Sequence, residues 1–391
     1  MLRFFANPCN IYMLLSIFYS MQGVIISTGG TIISQVVLLV IILMGLYCAI
    51  NVMFLKNKPV YFKGLNLLFL LFVIYGVILL LSNHNYVIKA NDLGDVVSRS
   101  SFLKGILLSL PTIYSFYYFS RKGYLTEKML KIWILVLFGV SVFRFFDYQM
   151  AMVLLADKEE VTNNMGYLFV ALIPALAYFR NKPVMQYFGI VLCMTFILLG
   201  MKRGAVLIGF VSILYFMYFN RKYIGKIPHT RLIILSLLVI GFSYSLIVYL
   251  LGNSEYFVER ISQTLDGESS GRDELFQTFY SHFISETNFL NFFFGNGANA
   301  TLGIGDNYAH NDWLEIAINQ GVLGLVIYFY YWVCFYITII GTRYNKTIKL
   351  ALSLMFIVFF LETLFSMSYT SYNVITASVL GYSLCHYREK E

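Results

Sequence analysis

Residues 306–332 read DNYAHNDWLEIAINQGVLGLVIYFYYW. A histidine, His310, and three acids, Asp306, Asp312 and Glu315, run straight into an apolar stretch that continues to residue 340. About 20 such residues cross ~30 Å of hydrocarbon, so the stretch reads as a membrane helix with ionisable groups at its mouth. The rest of the chain is of the same kind. Its 391 residues are 59% hydrophobic, 18% aromatic and 12% charged, with a mean hydropathy of +0.72, whereas soluble domains carry about 25% charged residues. Only helices and closed barrels satisfy the backbone in lipid. A barrel shows short alternating segments, and the runs here are continuous. The fold class is therefore an all-α integral membrane protein.

About twelve runs have the length of a span: 10–27, 31–55, 64–82, 102–119, 130–146, 163–179, 184–200, 204–220, 231–252, 318–340, 349–367 and 371–386. The chain reads as one polytopic domain, 1–391, with one large loop over 253–311. Basic connections (LKNKPVYFK, SRKGYLTEK, RNK, NRKYIGKIPHTR and GTRYNKTIK) alternate with acidic or nearly uncharged ones such as DKEEVTNN and MSYTSY. Lys and Arg favour cytoplasmic loops, which places the basic set and both termini inside and the 253–311 loop outside. The first run has no small-residue cleavage site and reads as a first membrane helix, not a removed signal peptide.

The net charge of +8 sits in these orienting loops and is no nucleic-acid signal. Five cysteines stand singly, without a CxxC pair, so neither a disulfide framework nor a thiolate metal site is expected. The histidines show no paired spacing for zinc. GNGANA, 295–300, resembles a truncated G-x-G-x-x-G but lacks a βαβ context. It reads as a turn that ends an amphipathic helix, RDELFQTFYSHFISETNFLNFFFG, whose Phe292, Phe293 and Phe294 suit an interfacial anchor.

Two outer features break the charge rule. GMKRGAV puts Lys202 and Arg203 in a tight turn, and the long loop supplies Arg260 and Arg272. Arginine is permanently charged and forks onto phosphate oxygens, so Arg203, Arg260 and Arg272 are candidate diphosphate ligands. The structural alternative pairs each with Glu255, Glu259, Asp266, Asp273 or lipid headgroups. His310 can exchange a proton near neutral pH; its structural alternative is a residue at a helix mouth. Asn311 or Asp312 can cap that helix, and acids in its first turn meet the positive dipole end. Glu315 and Asn311 are candidates to orient the imidazole or an acceptor. Asn163 can cap its own helix or meet a sugar, and Gly321 and Gly324 permit close helix contact.

HNDWLEIAINQGVLG fits the H-N-x9-G-x-x-G pattern of the bacterial O-antigen polymerase and O-antigen ligase superfamily of polytopic glycosyltransferases, which this chain resembles. The R…SGR…FFFGNG loop and KRGA opening a span add to the resemblance, as does the order of spans and loop. The resemblance implies transfer of a glycan from undecaprenyl diphosphate to a sugar hydroxyl, at the periplasmic face of the inner membrane and without a metal or other cofactor. Arg203, Arg260 and Arg272 would hold the diphosphate and His310 would be the base, in a single displacement that inverts the anomeric centre. The expected partners are an undecaprenyl-diphosphate-linked oligosaccharide and membrane lipid, with a chain-length regulator and a flippase as companions. The first reading is a polymerase of O-antigen repeat units; the alternative is a ligase that transfers the glycan to lipid A-core. A transporter of a lipid-linked sugar is the rival from another class. It needs charge deep in a span, for which Glu362 is the candidate.

Overall fold

The computed structural model describes residues 6–21, 31–82, 84–88, 95–156, 162–223, 229–265, 272–343, 345–366, 369 and 373–388. The acidic stretch at 157–161, Asp266, residues 269–271 and both chain ends, on which some sequence readings rest, lie outside the described residues.

The helices are α1 (Pro8–Met21), α2 (Ile32–Met53), α3 (Tyr61–Leu81), α4 (Arg99–Arg121), α5 (Glu127–Ala156) and α6 (Gly166–Leu172), the last running into a 3₁₀ segment, Ile173–Phe179. They continue with α7 (Pro183–Leu199), α8 (Arg203–Tyr223), α9 (His229–Asn253), α10 (Glu255–Leu265), α11 (Arg272–Ser285), α12 (Phe289–Phe294) and α13 (Thr301–Ile304). The last three are α14 (Asp312–Gly341), α15 (Lys346–Phe365) and α16 (Val374–His386). Over their described residues the runs expected as spans overlap these helices, 163–179 falling on α6 and the 3₁₀ segment, and seven helices among the described residues are long and apolar enough to cross a membrane. The chain is a multi-pass membrane protein. One departure from all-α is a small antiparallel ribbon, β1 (Tyr86–Ile88) with β2 (Asp95–Val97), in register Val87 opposite Val96.

The bundle is apolar inside and out. Ile233, Ile234, Leu237, Leu238 and Ile240 of α9 are exposed, as expected of a surface solvated by lipid. Without a hydrophobic drive between helices, association depends on close backbone approach and buried polar pairs. A Cβ added at Gly64 of α3 would lie 2.6 Å from the Cα of Tyr331 in α14. The Tyr61 and Tyr331 hydroxyls meet at 2.9 Å, and Tyr178 meets Ser383 at 2.6 Å. Pro174 has no N–H for an α-helical bond, which is why α6 tightens into the 3₁₀ segment.

The deciding stretch departs from its sequence reading. It was expected to be one helix entering the membrane; α14 is two limbs. The Tyr328 hydroxyl donates to Asp312 Oδ2 at 2.5 Å, yet 16 positions along a straight helix span ~24 Å. The chain doubles back at Gly321, where φ is 65° and ψ is −160°. Residues 312–320 lie against the first turns of the limb that follows the bend, and the Trp313 and Tyr328 rings approach to 5.1 Å. Gly324 faces its own chain across the bend: a Cβ there would lie 2.9 Å from Ile316 Cγ2. Asp312 and Glu315 are thus buried inside protein and are not at a lipid interface as their sequence position suggested.

Gly321→Ala is expected to destabilise the protein strongly. Its backbone region is open essentially to glycine alone, worth about 1–3 kcal/mol. The new methyl would also sit 2.6 Å from the Gly295 nitrogen, and overpacking of this kind costs about 1–3 kcal/mol more. Gly123→Ala is the comparison, because Gly123 also has positive φ (75°) but no atom within 4 Å of an added Cβ. Thermal unfolding in detergent should show the larger drop for Gly321→Ala. Equal drops would refute the packing argument.

Candidate active site

The candidate residues gather where α8 begins and α15 ends. The loop amphipathic stretch, expected as one helix, is two: α11 and α12 are separated at Glu286–Asn288, and the Asn288 side chain caps α12 by accepting from Leu290 N. Before them, α10 follows α9 almost directly and carries Arg260 and Gln263.

Arg203 Nη2 donates to Gln263 Oε1 at 2.7 Å, and Arg260 Nη1 donates to the same oxygen at 3.2 Å. The two guanidinium nitrogens therefore lie within 5.9 Å of each other, the sum of those distances. Gln263 is itself held, its Nε2 donating to Glu259 Oε1 at 3.0 Å. Like charges at ~6 Å repel by about 3 kcal/mol at an effective dielectric near 20, and an anion placed between them would offset that repulsion. Neither Gln263 nor its tether to Glu259 was evident in the sequence.

Arg272, at the start of α11, donates Nη1 to the Phe365 carbonyl at 3.1 Å, at the negative end of the α15 dipole. Phe365 Cβ also faces Gly204, the neighbour of Arg203. His310 approaches the same helix end: Asn311 Nδ2 donates to the Leu364 carbonyl at 3.5 Å, and Trp313 Nε1 to Thr363 Oγ1 at 3.0 Å. Glu362 lies in the last turn of α15, because the helix stops at Phe365, short of the expected 367. The charge deep in a span on which the transport reading depends is thus at the site's end of the bundle.

The local fold explains how His310 is held. Asn311 Oδ1 accepts from Trp313 N (3.0 Å) and Leu314 N (3.1 Å) and caps the first limb. His310 is free of that task and takes a left-handed backbone, φ 50°. The preceding residue is pinned: Ala309 N donates to Glu315 Oε2 at 2.8 Å, while Thr301 Oγ1 and Asn319 Nδ2 donate to Oε1 at 2.6 and 2.8 Å. Glu315 is fully buried and acts as a brace for the His310 turn. GNGANA is that brace's other wall: Asn296 N and Gly297 N donate to the carbonyls of Ile318 (2.9 Å) and Asn319 (3.0 Å), closing the end of the limb. The imidazole is half-buried and has no hydrogen-bond partner among the described residues.

Electrostatics show that these groups feel one another. Burial pushes the His310 imidazole below its ordinary value, and Arg272 and Lys202 push it the same way. Burial lowers the Lys202 ammonium to about 8, assisted by Arg272 and Arg260. Lys202 is the site member that sequence reading noted without giving it a role. Its signal was present: a second cation beside Arg203 in a turn that the orientation rule reads as outer.

Asn163 belongs to the frame. It is fully buried, and its Nδ2 donates to the Phe145 carbonyl and to Gln149 Oε1, both at 3.0 Å. Its Oδ1 accepts from Met165 N at 2.9 Å, and its backbone N donates to the Gly200 carbonyl at 2.8 Å. Fully buried and so bonded, Asn163 anchors the turn that presents Lys202 and Arg203.

Residues 188–329 match the family model described as O-antigen ligase. The match supports the O-antigen polymerase and ligase superfamily as the family of this chain. The matched segment takes in Lys202, Arg203, Arg260, Arg272, His310, Asn311, Glu315, Gly321 and Gly324; Asn163 and the end of α15 lie outside it. No curated protein matches the chain.

Proposed function

We propose that the protein is an O-antigen polymerase that joins undecaprenyl-diphosphate-linked oligosaccharide units at the periplasmic face of the bacterial inner membrane. The observation that carries this reading is the convergence of Arg203 and Arg260 on one oxygen, with Arg272, Lys202 and His310 in one electrostatic neighbourhood. A diphosphate leaves readily once its charge is held, and preorganised cations do this without reorganising. The acceptor hydroxyl oxygen forms a bond to the anomeric carbon as the bond to the diphosphate oxygen breaks. His310 takes the hydroxyl proton, and the electron pair leaves with undecaprenyl diphosphate. The attack comes from the opposite face and inverts the anomeric centre. The expected arrangement is about twelve crossings with both termini cytoplasmic, so that α10–α13 and the site face outward.

A ligase that passes the glycan to lipid A-core is the second reading, favoured by the description of the matching family. The test is purified protein in lipid given only the diphosphate-linked repeat unit. A ladder of products establishes polymerisation. Transfer that occurs only after lipid A-core is added establishes ligation, and no transfer in either case removes both readings.

The pH dependence follows from the same groups. His310 must be neutral to accept a proton, and its value is lowered from an ordinary ~6.5. This group alone therefore lowers the rate on the acid side, below ~6.5. Lys202 contributes its charge to anion binding only while protonated, which is lost above about 8. Initial rates at low donor concentration should give a bell-shaped profile reporting the free enzyme. Lys202→Arg should remove the alkaline limb and leave the acid limb in place. An alkaline limb that persists in that variant would exclude Lys202 as its source.

A further inference from the structure

We propose that α12, with the adjoining face of α11, lies within the membrane as an in-plane element whose apolar side chains are solvated by lipid hydrocarbon. This inference does not rest on the reaction proposed above. Helix α12 reads FLNFFF and buries none of its residues. Phe289 is 68% exposed, Leu290 62% and Phe294 49%. Tyr280 and Ile284 of α11 are exposed as well, and the Phe283 and Phe292 rings stack at 5.3 Å, joining the two helices. In water this would be a contiguous apolar patch of the kind soluble surfaces avoid.

Its depth identifies the occupant. The Tyr75 hydroxyl donates to the Phe294 carbonyl, which ties the end of α12 to α3. Tyr75 stands six residues before Leu81, the last residue of α3, so the contact lies ~9 Å short of that helix end. Leu67, Leu70, Ile74, Ile78 and Leu81 form an exposed stripe along α3 at spacings of three and four, which is the face a spanning helix turns to lipid. Helix α12 meets α3 at the level of Ile74 and Ile78, inside the hydrocarbon those residues require. Its phenylalanines continue the α3 stripe sideways. Of the acids here, Asp273 and Glu274 stand in the first turn of α11, at the opposite end from the phenylalanines, while Glu286 lies between the two helices and accepts from Asn288 N at 2.8 Å.

The test places a fluorophore on the patch. Leu290→Cys and Phe289→Cys, both exposed positions, are labelled with an environment-sensitive dye in the full chain reconstituted in phospholipid vesicles. The signal of identically treated wild-type protein, which has five cysteines of its own, is subtracted. Glu274→Cys serves as the aqueous reference. The expected result is strong quenching at positions 289 and 290 by a phospholipid carrying a nitroxide on an upper acyl carbon, little quenching there by iodide, and the reverse at position 274. Iodide quenching at 289 and 290 equal to that at 274 would overturn the proposal and make the patch a water-facing lid. Shielding from both quenchers, with cross-linking between copies through Leu290→Cys, would also overturn it by assigning the face to a second copy of the chain.

Discussion

Replacing His310 with alanine is expected to slow glycan transfer by roughly 10²–10⁴-fold, with donor binding largely retained. A sugar hydroxyl is a poor nucleophile until its proton is removed, and His310 is the group at the site whose ordinary value lies near neutral pH. The alternative, a histidine that merely closes a helix mouth, is disfavoured by the geometry, because Asn311 makes both capping contacts. The left-handed backbone at residue 310 points the same way. Such a conformation costs about 1–3 kcal/mol and persists where its surroundings impose it. Here Glu315 imposes it through Ala309. Burial, together with the cations Arg272 and Lys202, pushes the imidazole below its ordinary value and so favours its neutral form. A bound diphosphate offsets their charge, so His310 becomes a stronger base when the donor is in place. Rates and donor affinity measured on the same purified variant decide the matter. A His310→Ala protein that transfers at the wild-type rate would falsify the assignment, and one that loses donor affinity and rate together would make His310 a binding group.

Much of this was legible in the sequence, for identifiable reasons. Span-length apolar runs mark helices because lipid leaves the backbone no other partner, and the expected runs overlap helices over their described residues. Arg203, Arg260 and Arg272 stood out because the orientation rule disfavours Lys and Arg in loops read as outer, and His310 because it stands at the mouth of an apolar run. What could not be read was how the segment 295–324 folds on itself. Gly321 occurs in an apolar run that looks continuous, and nothing local shows that Tyr328 returns to Asp312. The division of α11 from α12 had a signal, Asn288 before Phe289, since Asn is a preferred helix cap. The brace role of Glu315 had none, because its partners Thr301, Ala309 and Asn319 are set by the bend and not by sequence spacing. Gln263 was hidden for a similar reason. An amide three residues from Arg260 is unremarkable until α10 folds beside the start of α8.

The arginines supply the second large effect. Arg272→Ala is expected to reduce transfer by about 10²–10³-fold, the usual cost of removing one preorganised charge stabiliser. Arg272→Lys should recover only part of it, because an ammonium keeps the charge but loses the paired hydrogen bonds of the guanidinium fork. Arg203 and Arg260 make a sharper test, since both reach Gln263 Oε1. Residues sharing a partner are coupled by about 0.5–3 kcal/mol, whereas distant ones add. The Arg203→Ala, Arg260→Ala double variant should therefore lose less than the two single losses combined. Arg180 is the control: it donates to Thr347 Oγ1 at 3.4 Å, at the start of α15 and the far end of that helix from the site. Arg180→Ala should leave the transfer rate unchanged and combine additively with either variant. Strict additivity between positions 203 and 260 would mean that the two guanidinium groups bind separate parts of the substrate, and the single anion seat would have to be abandoned.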